Sequence, residues 1–128
     1  MSEWSPSDLE RIGSAEELAV SSRRGDGTLS SYVTIWVVRV GDDIYIRSAY
    51  GPNNTWYRNA KARGRGRIRA GGVERDVHFT APHAGVHQDI DAAYHAKYDN
   101  YGEQLVATVV GRHAAPVTFR LVPADGAD

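Results

Sequence analysis

Arg47 and Ser48 end a strand-like segment shortly before a helix-like segment, and this arrangement can bind an anion. The helix pattern covers Trp56–Arg63 and ends at Gly64, and one of the residues 53–55 can cap its start. The free amide groups of a helix start and the positive end of the helix dipole favour negative charge. We therefore expect an anion site at this junction, supported by four side chains: Arg47, Ser48, Arg58 and Lys61.

Three tyrosines recur at helical spacing in Asp89–Tyr101. Tyr94, Tyr98 and Tyr101 lie at i, i+4 and i+7 and so project from one helical face. Two interpretations remain open: the face packs on a core, or it forms a wall over a bound ligand. In the second, Tyr98 and Tyr101 lie nearer the pocket because they are closest to the break at Gly102, and their hydroxyl groups could donate a proton to a substrate.

Four of the five histidines lie near this helix, but their spacing does not predict a metal site. His87, Asp91 and His95 are the nearest approach to one. Positions eight apart on a helix are separated by about 12 Å along its axis, too far for two imidazoles to bind one ion at about 2 Å. The chain contains no cysteine, which excludes disulfide bonds, thiolate chemistry and cysteine-bound metals.

Two β-hairpin patterns flank the helix at 56–63 and would position the residues of the expected anion site. In the first, Thr34–Val40 and Ile44–Ala49 surround Gly41-Asp42-Asp43. A three-residue loop would pair Val40 with Ile44. We then expect one apolar face, made by Trp36, Val38, Val40, Ile44 and Ile46, and one mixed face, made by Ile35, Val37, Arg39, Tyr45 and Arg47.

The second hairpin turns at Gly71-Gly72. A two-residue turn there places Arg69 opposite Glu74 and Arg67 opposite Asp76. Because a slip of one residue would remove both ion pairs, turn and charges predict the same register. We assign these two arginines a structural role.

The remaining segments complete one α+β domain. A helix begins at Ser5 and breaks near Gly13-Ser14, Leu18–Arg24 is a first strand, and Val117–Val122 is a closing strand. We expect about six mainly antiparallel strands curled into a small barrel with helices at its mouth. The single domain covers residues 1–128, with a polar tail at 124–128.

Charge is distributed unevenly along the chain of 128 residues, whose net charge is −1. Residues 39–75 carry nine basic groups against three acidic ones, so the rest of the chain is acidic. A basic middle within an acidic chain favours a small anionic ligand over nucleic acid. No apolar run is long enough for a membrane span and no signal-peptide pattern is present, so we expect a cytoplasmic protein.

The run VGDDIYIRSAYGPNNTWYRNAKARGRGRIRAGGVERDVHF resembles the DUF2255 family, whose function is unknown. More distantly, the strand–RSA–loop–WYRNA arrangement followed by a Tyr-rich helix is similar to the deazaflavin-dependent nitroreductases. Both groups are of the FMN-binding split-barrel type. The resemblance covers roughly residues 16–123 and implies a split β-barrel fold.

The resemblance also implies a site. The backbone of Thr34, Ile35 and Trp36 would lie along a flavin or deazaflavin ring, and the phosphate side would be held by Arg47, Ser48, Trp56, Arg58 and Lys61. Relatives of this type build the site between two subunits, so a homodimer is expected, with FMN or deazaflavin F420 as cofactor and a small organic molecule as substrate. Relatives that use the deazaflavin often carry a basic N-terminal segment for its acidic tail, whereas Met1–Glu17 is net acidic here, so FMN, a truncated deazaflavin or no cofactor stays open. Without a cofactor the protein would be an isomerase or a small-molecule-binding protein, and a purely structural or partner-binding domain is a third hypothesis.

Overall fold

Seven antiparallel strands form one curled sheet, and four α-helices pack against it in the computed structural model, which describes residues 3–124. The helices are α1 (Pro6–Ser14), α2 (Thr55–Arg63), α3 (His87–Tyr98) and α4 (Glu103–Val106). The strands are β1 (Leu18–Ser22), β2 (Val33–Ile35), β3 (Val38–Val40), β4 (Asp43–Arg47), β5 (Arg65–Ala70), β6 (Val73–Thr80) and β7 (Thr118–Pro123). None of these helices is long and apolar enough to cross a membrane.

The strand order explains why the sheet curls. It runs β2-β1-β5-β6-β7-β4-β3, so two strands that follow each other in the chain occupy opposite edges. Only Trp36 and Val37 connect them. A flat sheet of seven strands about 4.8 Å apart could not be bridged by two residues, so the edges must approach each other. The predicted α+β split barrel is confirmed, with seven strands because the segment predicted as one strand, Thr34–Val40, is divided into two.

The first hairpin has a different register from the predicted one. Val38 pairs with Tyr45 and Val40 with Asp43, which leaves Gly41-Asp42 as a two-residue turn. Gly41 takes a φ of 60°, a conformation that glycine adopts without strain. The predicted three-residue loop, and the faces derived from it, are wrong because Asp43 already belongs to the strand.

The second hairpin has the predicted register. Arg69 pairs with Glu74 and Arg67 with Asp76 across the turn at Gly71-Gly72. The side chains follow the backbone pairing: Arg67 Nε donates to Asp76 Oδ1 at 2.8 Å, and Arg69 also forms its ion pair with Glu74. The two arginines are therefore engaged on the sheet surface.

Identifiable hydrogen bonds and one glycine define the start of α1, the end of α2 and the residue after β7. Ser5 caps α1 by accepting a hydrogen bond from the Asp8 amide at 3.1 Å, and Gly64 ends α2 at a φ of 70°, both as predicted. Ala124, predicted as the start of the tail, is buried and donates its amide to the Asp76 carbonyl at 2.8 Å. The rest of the predicted tail, 125–128, lies outside the described residues.

Two hydrophobic clusters lie on the two faces of the curled sheet. The larger one fills the barrel and includes Ile12 from α1, Trp56 from α2 and Ile44 and Ile46 from β4. The smaller one lies under α3 and the segment that follows it, and consists of Val38, Tyr45, Ile90, Tyr94, Tyr98, Val106 and Val109. Because β4 contributes alternate side chains to the two clusters, its last residue, Arg47, lies on the side of Tyr45 and the smaller cluster.

Candidate functional site

A cavity of about 180 Å³ opens beside the connection between β2 and β3. Thr34, Ile35 and Trp36 line one side of it and Arg47 lies at its base. Four of the residues predicted to hold a cofactor are thus brought together. The remaining lining comes from the loop after β4, from α4 and from the turn after α4, and consists of Ala49, Tyr50, Leu105, Thr108 and Val109.

Beside this cavity β2 is an edge strand. It pairs with β1 on one side, and within residues 3–124 no strand pairs with its other side. Backbone N–H and C=O groups along such an edge can bind an extended or planar polar partner. The predicted role of the Thr34–Trp36 backbone is therefore compatible with the geometry.

Trp36 forms an aromatic wall with two of the predicted tyrosines. Its ring stacks on Tyr98 with the centroids 4.2 Å apart and the planes within 7°, and Tyr101 lies 5.3 Å away at a tilt of 57°. Trp36 is partly exposed, whereas Tyr98 is fully buried. The stack fixes the indole ring at the edge of the cavity.

The Tyr98 hydroxyl is engaged by the backbone. It accepts the Val37 amide at 3.1 Å and donates to the Glu16 carbonyl at 2.8 Å. Burial raises the pKa of Tyr98 to about 12. The structure thus gives Tyr98 the packing role that sequence analysis left open, since its hydroxyl has no hydrogen left for a substrate.

The other two tyrosines have contrasting environments. Helix α3 ends at Tyr98 and continues as a 3-10 turn, so Tyr101 leaves the shared face and is 38% exposed. Tyr94 is fully buried, and its hydroxyl has no hydrogen-bond partner in the described part of the chain. Burial raises the Tyr94 pKa well above its ordinary value. Of the three predicted catalytic tyrosines, Tyr101 alone combines exposure with contact to Trp36.

Arg47 is buried, and its guanidinium group is directed into the protein. Nε donates to Thr118 Oγ1 at 2.9 Å, and Nη1 bonds to the Asp91 carboxylate and, at 2.7 Å, to the Val109 carbonyl. The remaining nitrogen, Nη2, approaches His87 Nδ1 at 3.3 Å. The charge is therefore balanced inside the molecule, and Arg47 forms the wall of the cavity and offers no free donor to a phosphate.

The pKa of His87 is affected by Arg47 and Asp91. Burial lowers its pKa below the ordinary value, and the neighbouring Arg47 charge lowers it further, while Asp91 acts in the opposite direction. Asp91 also accepts the Gly111 amide at 3.3 Å. Within residues 3–124 no group of three His, Cys, Asp or Glu side chains is arranged to hold a metal ion.

Ser48 organises the turn that presents Tyr50. Its hydroxyl donates to the Gly51 carbonyl at 2.6 Å and accepts from the Asn54 amide group at 2.8 Å, which also donates to the Ala49 carbonyl at 2.8 Å. Within this turn Tyr50 has a φ of 70° and is 77% exposed. A bulky residue in the left-handed region is strained, and such strain occurs preferentially at functional sites.

Tyr50 was missed by the sequence analysis. A signal was present in the run Tyr50-Gly51-Pro52-Asn53-Asn54, where an aromatic residue stands among turn-forming residues. Nothing in that pattern indicates a positive φ at the tyrosine, because the adjacent glycine is the ordinary choice for it. The turn bonds made by Ser48 and Asn54 decide the conformation.

The residues predicted for the phosphate side are divided between core and surface. Trp56 is buried, and its ring packs edge-on against Tyr57 at 6.1 Å and Phe119 at 6.3 Å. Arg58 and Lys61 lie exposed on α2, without an ion pair to any described residue. Of these three residues, Trp56 packs in the barrel core, and Arg58 and Lys61 carry charges that no residue within 3–124 pairs with.

A second, larger depression has a different character. It measures about 500 Å³ and lies beside Trp4 and Arg120, with Glu3, Asp42 and Asp43 among its lining residues. Three carboxylates against one arginine oppose a phosphate-bearing ligand. The smaller aromatic cavity beside β2 is the better candidate site.

The curled antiparallel sheet is a split barrel, and solved structures of similar fold align over most of the chain. An F420 reductase shares 14% identity, with 91% of this chain and 92% of that chain covered and a TM-score of 0.54. A FAD-binding protein from Mesorhizobium loti shares 18% identity, with 95% and 91% covered and a TM-score of 0.56. A conserved hypothetical protein from Mycobacterium tuberculosis shares 10% identity, with 98% and 82% covered and a TM-score of 0.61. Identities this low establish the fold alone.

Residues 8–121 match DUF2255, described as uncharacterized protein conserved in bacteria, and the chain belongs to this family. A comparison with curated proteins gives no significant match.

Proposed function

We propose that the protein binds the ring of a flavin or of deazaflavin F420 in the cavity beside β2 and is a reductase of small organic molecules. The observation that carries this proposal is the open backbone edge of β2 next to an aromatic-lined cavity, in a split barrel. The F420 reductase and the FAD-binding protein of similar fold support the choice of ligand class. No nucleic acid is required by this function, and the pairing of Arg67 and Arg69 with carboxylates agrees with that.

The residues of the cavity fit a planar, mainly apolar ring with one polar edge. Ile35, Trp36, Leu105 and Val109 offer apolar contacts, and the β2 backbone offers N–H and C=O groups to the polar edge of the ring. Thr34 adds a hydroxyl at the same side. Arg58 and Lys61 are the free cations from which a phosphate contact would come.

The size of the cavity favours a site completed by a second copy of the chain. Cofactor pockets usually measure about 300–1,000 Å³, more than the cavity of about 180 Å³ in one chain. Two of its lining side chains are exposed, Tyr50 (77%) and Leu105 (46%), as are Val33 (39%), which precedes Thr34, and Tyr101 (38%), which contacts Trp36. A homodimer that covers them would enlarge the site and exclude water from it, and we include a homodimer in the proposal.

When bound, the cofactor supplies hydride transfer to the substrate. The part of this chain would be to orient the ring between Trp36 and the β2 edge and to exclude water with Tyr50 and Leu105. Tyr101 is the side chain that could deliver a proton to the reduced substrate, because it is exposed beside Trp36.

The proposal is tested by titrating the purified protein with FMN and with F420 and following flavin fluorescence and tryptophan quenching. We expect saturable binding by the wild type. Leu105→Glu should abolish it by placing a charge in the cavity, while Ala107→Glu, an exposed substitution two residues further on, should not. If neither cofactor binds, or if both variants behave alike, the proposal is wrong.

A cofactor-free function is the second candidate, and the internal neutralisation of Arg47 favours it. A cavity of about 180 Å³ without a free cation at its base suits a small uncharged molecule. The same titrations separate the two functions, because this candidate predicts no response to FMN or F420 and saturable binding of a small neutral aromatic probe such as indole.

A further inference from the structure

A second groove, separate from the cavity beside β2, lies between α1 and α3. It measures about 430 Å³. Among its lining residues, Glu10 and Arg39 are charged. The apolar lining residues, which we call its floor, have small or branched side chains and are Leu9, Val38, Ala93 and Ala96. Lys97, from the last turn of α3, extends into this groove.

Lys97 is held in place by two backbone carbonyl groups. Its Nζ atom donates to the carbonyl oxygen of Val37 at 2.7 Å and to that of Gly13 at 3.0 Å. The two acceptors come from the β2–β3 connection and from the end of α1, so the amine is fixed at the meeting point of three elements. A lysine side chain ordinarily retains much more freedom.

The geometry leaves one direction of Nζ free. A neutral amine has two N–H bonds and one lone pair, and two N–H bonds are what the carbonyl groups of Val37 and Gly13 accept. The lone pair takes the remaining direction, in which Nζ makes no hydrogen bond to a described residue, and Lys97 is one of the residues that line the groove.

Burial of Lys97, against the effect of one neighbouring carboxylate, increases the fraction of neutral amine. Burial lowers the pKa of Lys97 to about 8, and the carboxylate of Glu16 opposes this only in part. Glu10 and Arg39, the other charged groups of the groove, have opposite signs and form a loose pair at 3.9 Å. The Tyr98 ring, 5.2 Å from Nζ, keeps its neutral hydroxyl through this range.

We propose that Lys97 is a nucleophilic amine that forms a Schiff base with a small aliphatic aldehyde bound in the α1–α3 groove. The Nζ lone pair attacks the carbonyl carbon, the new N–C bond forms, and the carbonyl oxygen leaves as water with the hydrogens of the amine. No oxidant or reductant is needed. The imine nitrogen, which has given up both amine hydrogens, then takes one proton from solvent and donates this single N–H to the Val37 carbonyl. The Gly13 carbonyl loses its donor and is left to water in the groove.

The apolar floor selects the aldehyde. Leu9, Val38, Ala93 and Ala96 accept a short hydrocarbon body, and the small side chains of the two alanines leave room for it on the α3 side. This site is independent of the proposed cofactor function, because it shares no lining residue with the cavity beside β2.

The chain provides its own control, because Lys61 and Lys97 are its only lysines. The wild-type protein is treated at pH 7 with butyraldehyde and cyanoborohydride, and the butylated peptides are located by mass spectrometry; the terminal amine is mapped separately. At pH 7 about a tenth of an amine with a pKa near 8 is neutral, against fewer than about one in a thousand for an ordinary lysine. We expect Lys97 to be labelled at least about tenfold faster than the exposed Lys61.

Two further measurements complete the test. The labelling rate of Lys97 should reach half its maximum near pH 8, and Glu16→Gln should lower that midpoint because it removes the opposing carboxylate. Longer aldehydes with branched bodies should react more slowly at Lys97 than butyraldehyde, with no such difference at Lys61. Labelling of Lys97 at the rate of Lys61 or below it, or a midpoint near pH 10, would overturn the proposal.

Discussion

Replacement of Tyr50 by glycine should leave the protein at least as stable as an alanine variant and yet weaken ligand binding. The left-handed conformation at φ 70° costs a side-chain-bearing residue roughly 1–2 kcal/mol, and glycine avoids that cost. Glycine in turn loses roughly 0.4–1 kcal/mol through the greater freedom of the unfolded chain. Tyr50→Gly should therefore unfold with a free energy about 0.5–1 kcal/mol higher than Tyr50→Ala.

The ring itself contributes little to folding. Tyr50 is 77% exposed, so its removal forfeits little buried apolar area, and the difference between the two variants isolates the backbone term. Urea unfolding followed by tryptophan fluorescence measures it, with equal m-values as the condition for comparing midpoints. Tyr50→Phe, which keeps both ring and strain, is the matched control and should behave as the wild type.

Ligand binding should not distinguish the glycine variant from the alanine variant. A lost aromatic contact is worth about 0.5–1.5 kcal/mol, so FMN should bind about two- to tenfold more weakly to both the glycine and the alanine variant. An alanine variant as stable as the glycine variant would show that the backbone at Tyr50 is unstrained. FMN binding that is equal in all four proteins would show that the ring does not touch the ligand.

Four further substitutions separate structural from functional residues. Arg47→Ala should lower the free energy of unfolding by roughly 3 kcal/mol, because it strands Asp91 beside the core, and the double variant with Asp91→Ala should recover part of that loss in urea unfolding. Tyr98→Phe should cost roughly 1–3 kcal/mol of stability without slowing substrate reduction, whereas Tyr101→Phe should slow reduction at unchanged melting temperature. Gly66→Ala should be expressed largely unfolded, because the added Cβ would lie 2.2 Å from a backbone oxygen of β1.

Each of these has a contrary outcome. An Arg47→Ala variant with full stability and reduced FMN affinity would restore this arginine to the cofactor site. Equal turnover loss in Tyr98→Phe and Tyr101→Phe would return Tyr98 to the chemistry. A folded Gly66→Ala protein with wild-type circular dichroism would show that β1 and β5 can separate there without cost.

The sequence by itself determined those features whose interactions are local. The hairpin at Gly71-Gly72 was predicted in its correct register because the turn type and two ion pairs, Arg67 with Asp76 and Arg69 with Glu74, require the same alignment. Helix α2 was placed within a residue because Gly64 ends it in the left-handed conformation, which other residues rarely adopt. The resemblance to DUF2255 added what local rules cannot supply, the gathering of Thr34, Ile35 and Trp36 at one cavity.

The first hairpin shows where local information ends. Gly41-Asp42-Asp43 permits a two- or a three-residue loop, and both leave apolar residues on each face. The choice is made by packing, because only the observed register places Val38 and Tyr45 together under α3. The break at Trp36-Val37 is likewise invisible in a continuous β-rich pattern, since it exists only because the two sheet edges meet.

Tertiary structure also decided the roles of the polar side chains. Arg47 finds Asp91 across 44 positions of sequence and Thr118 across 71, and Tyr98 finds Val37 across 61. A buried donor must be satisfied by whichever acceptor the fold brings near it, and the sequence does not reveal that acceptor. For this reason the arginine at the end of β4 was predicted as part of an anion site, whereas the fold balances its charge internally. The fold also places Tyr50 at the cavity, in a conformation that its hydrogen-bonded turn imposes.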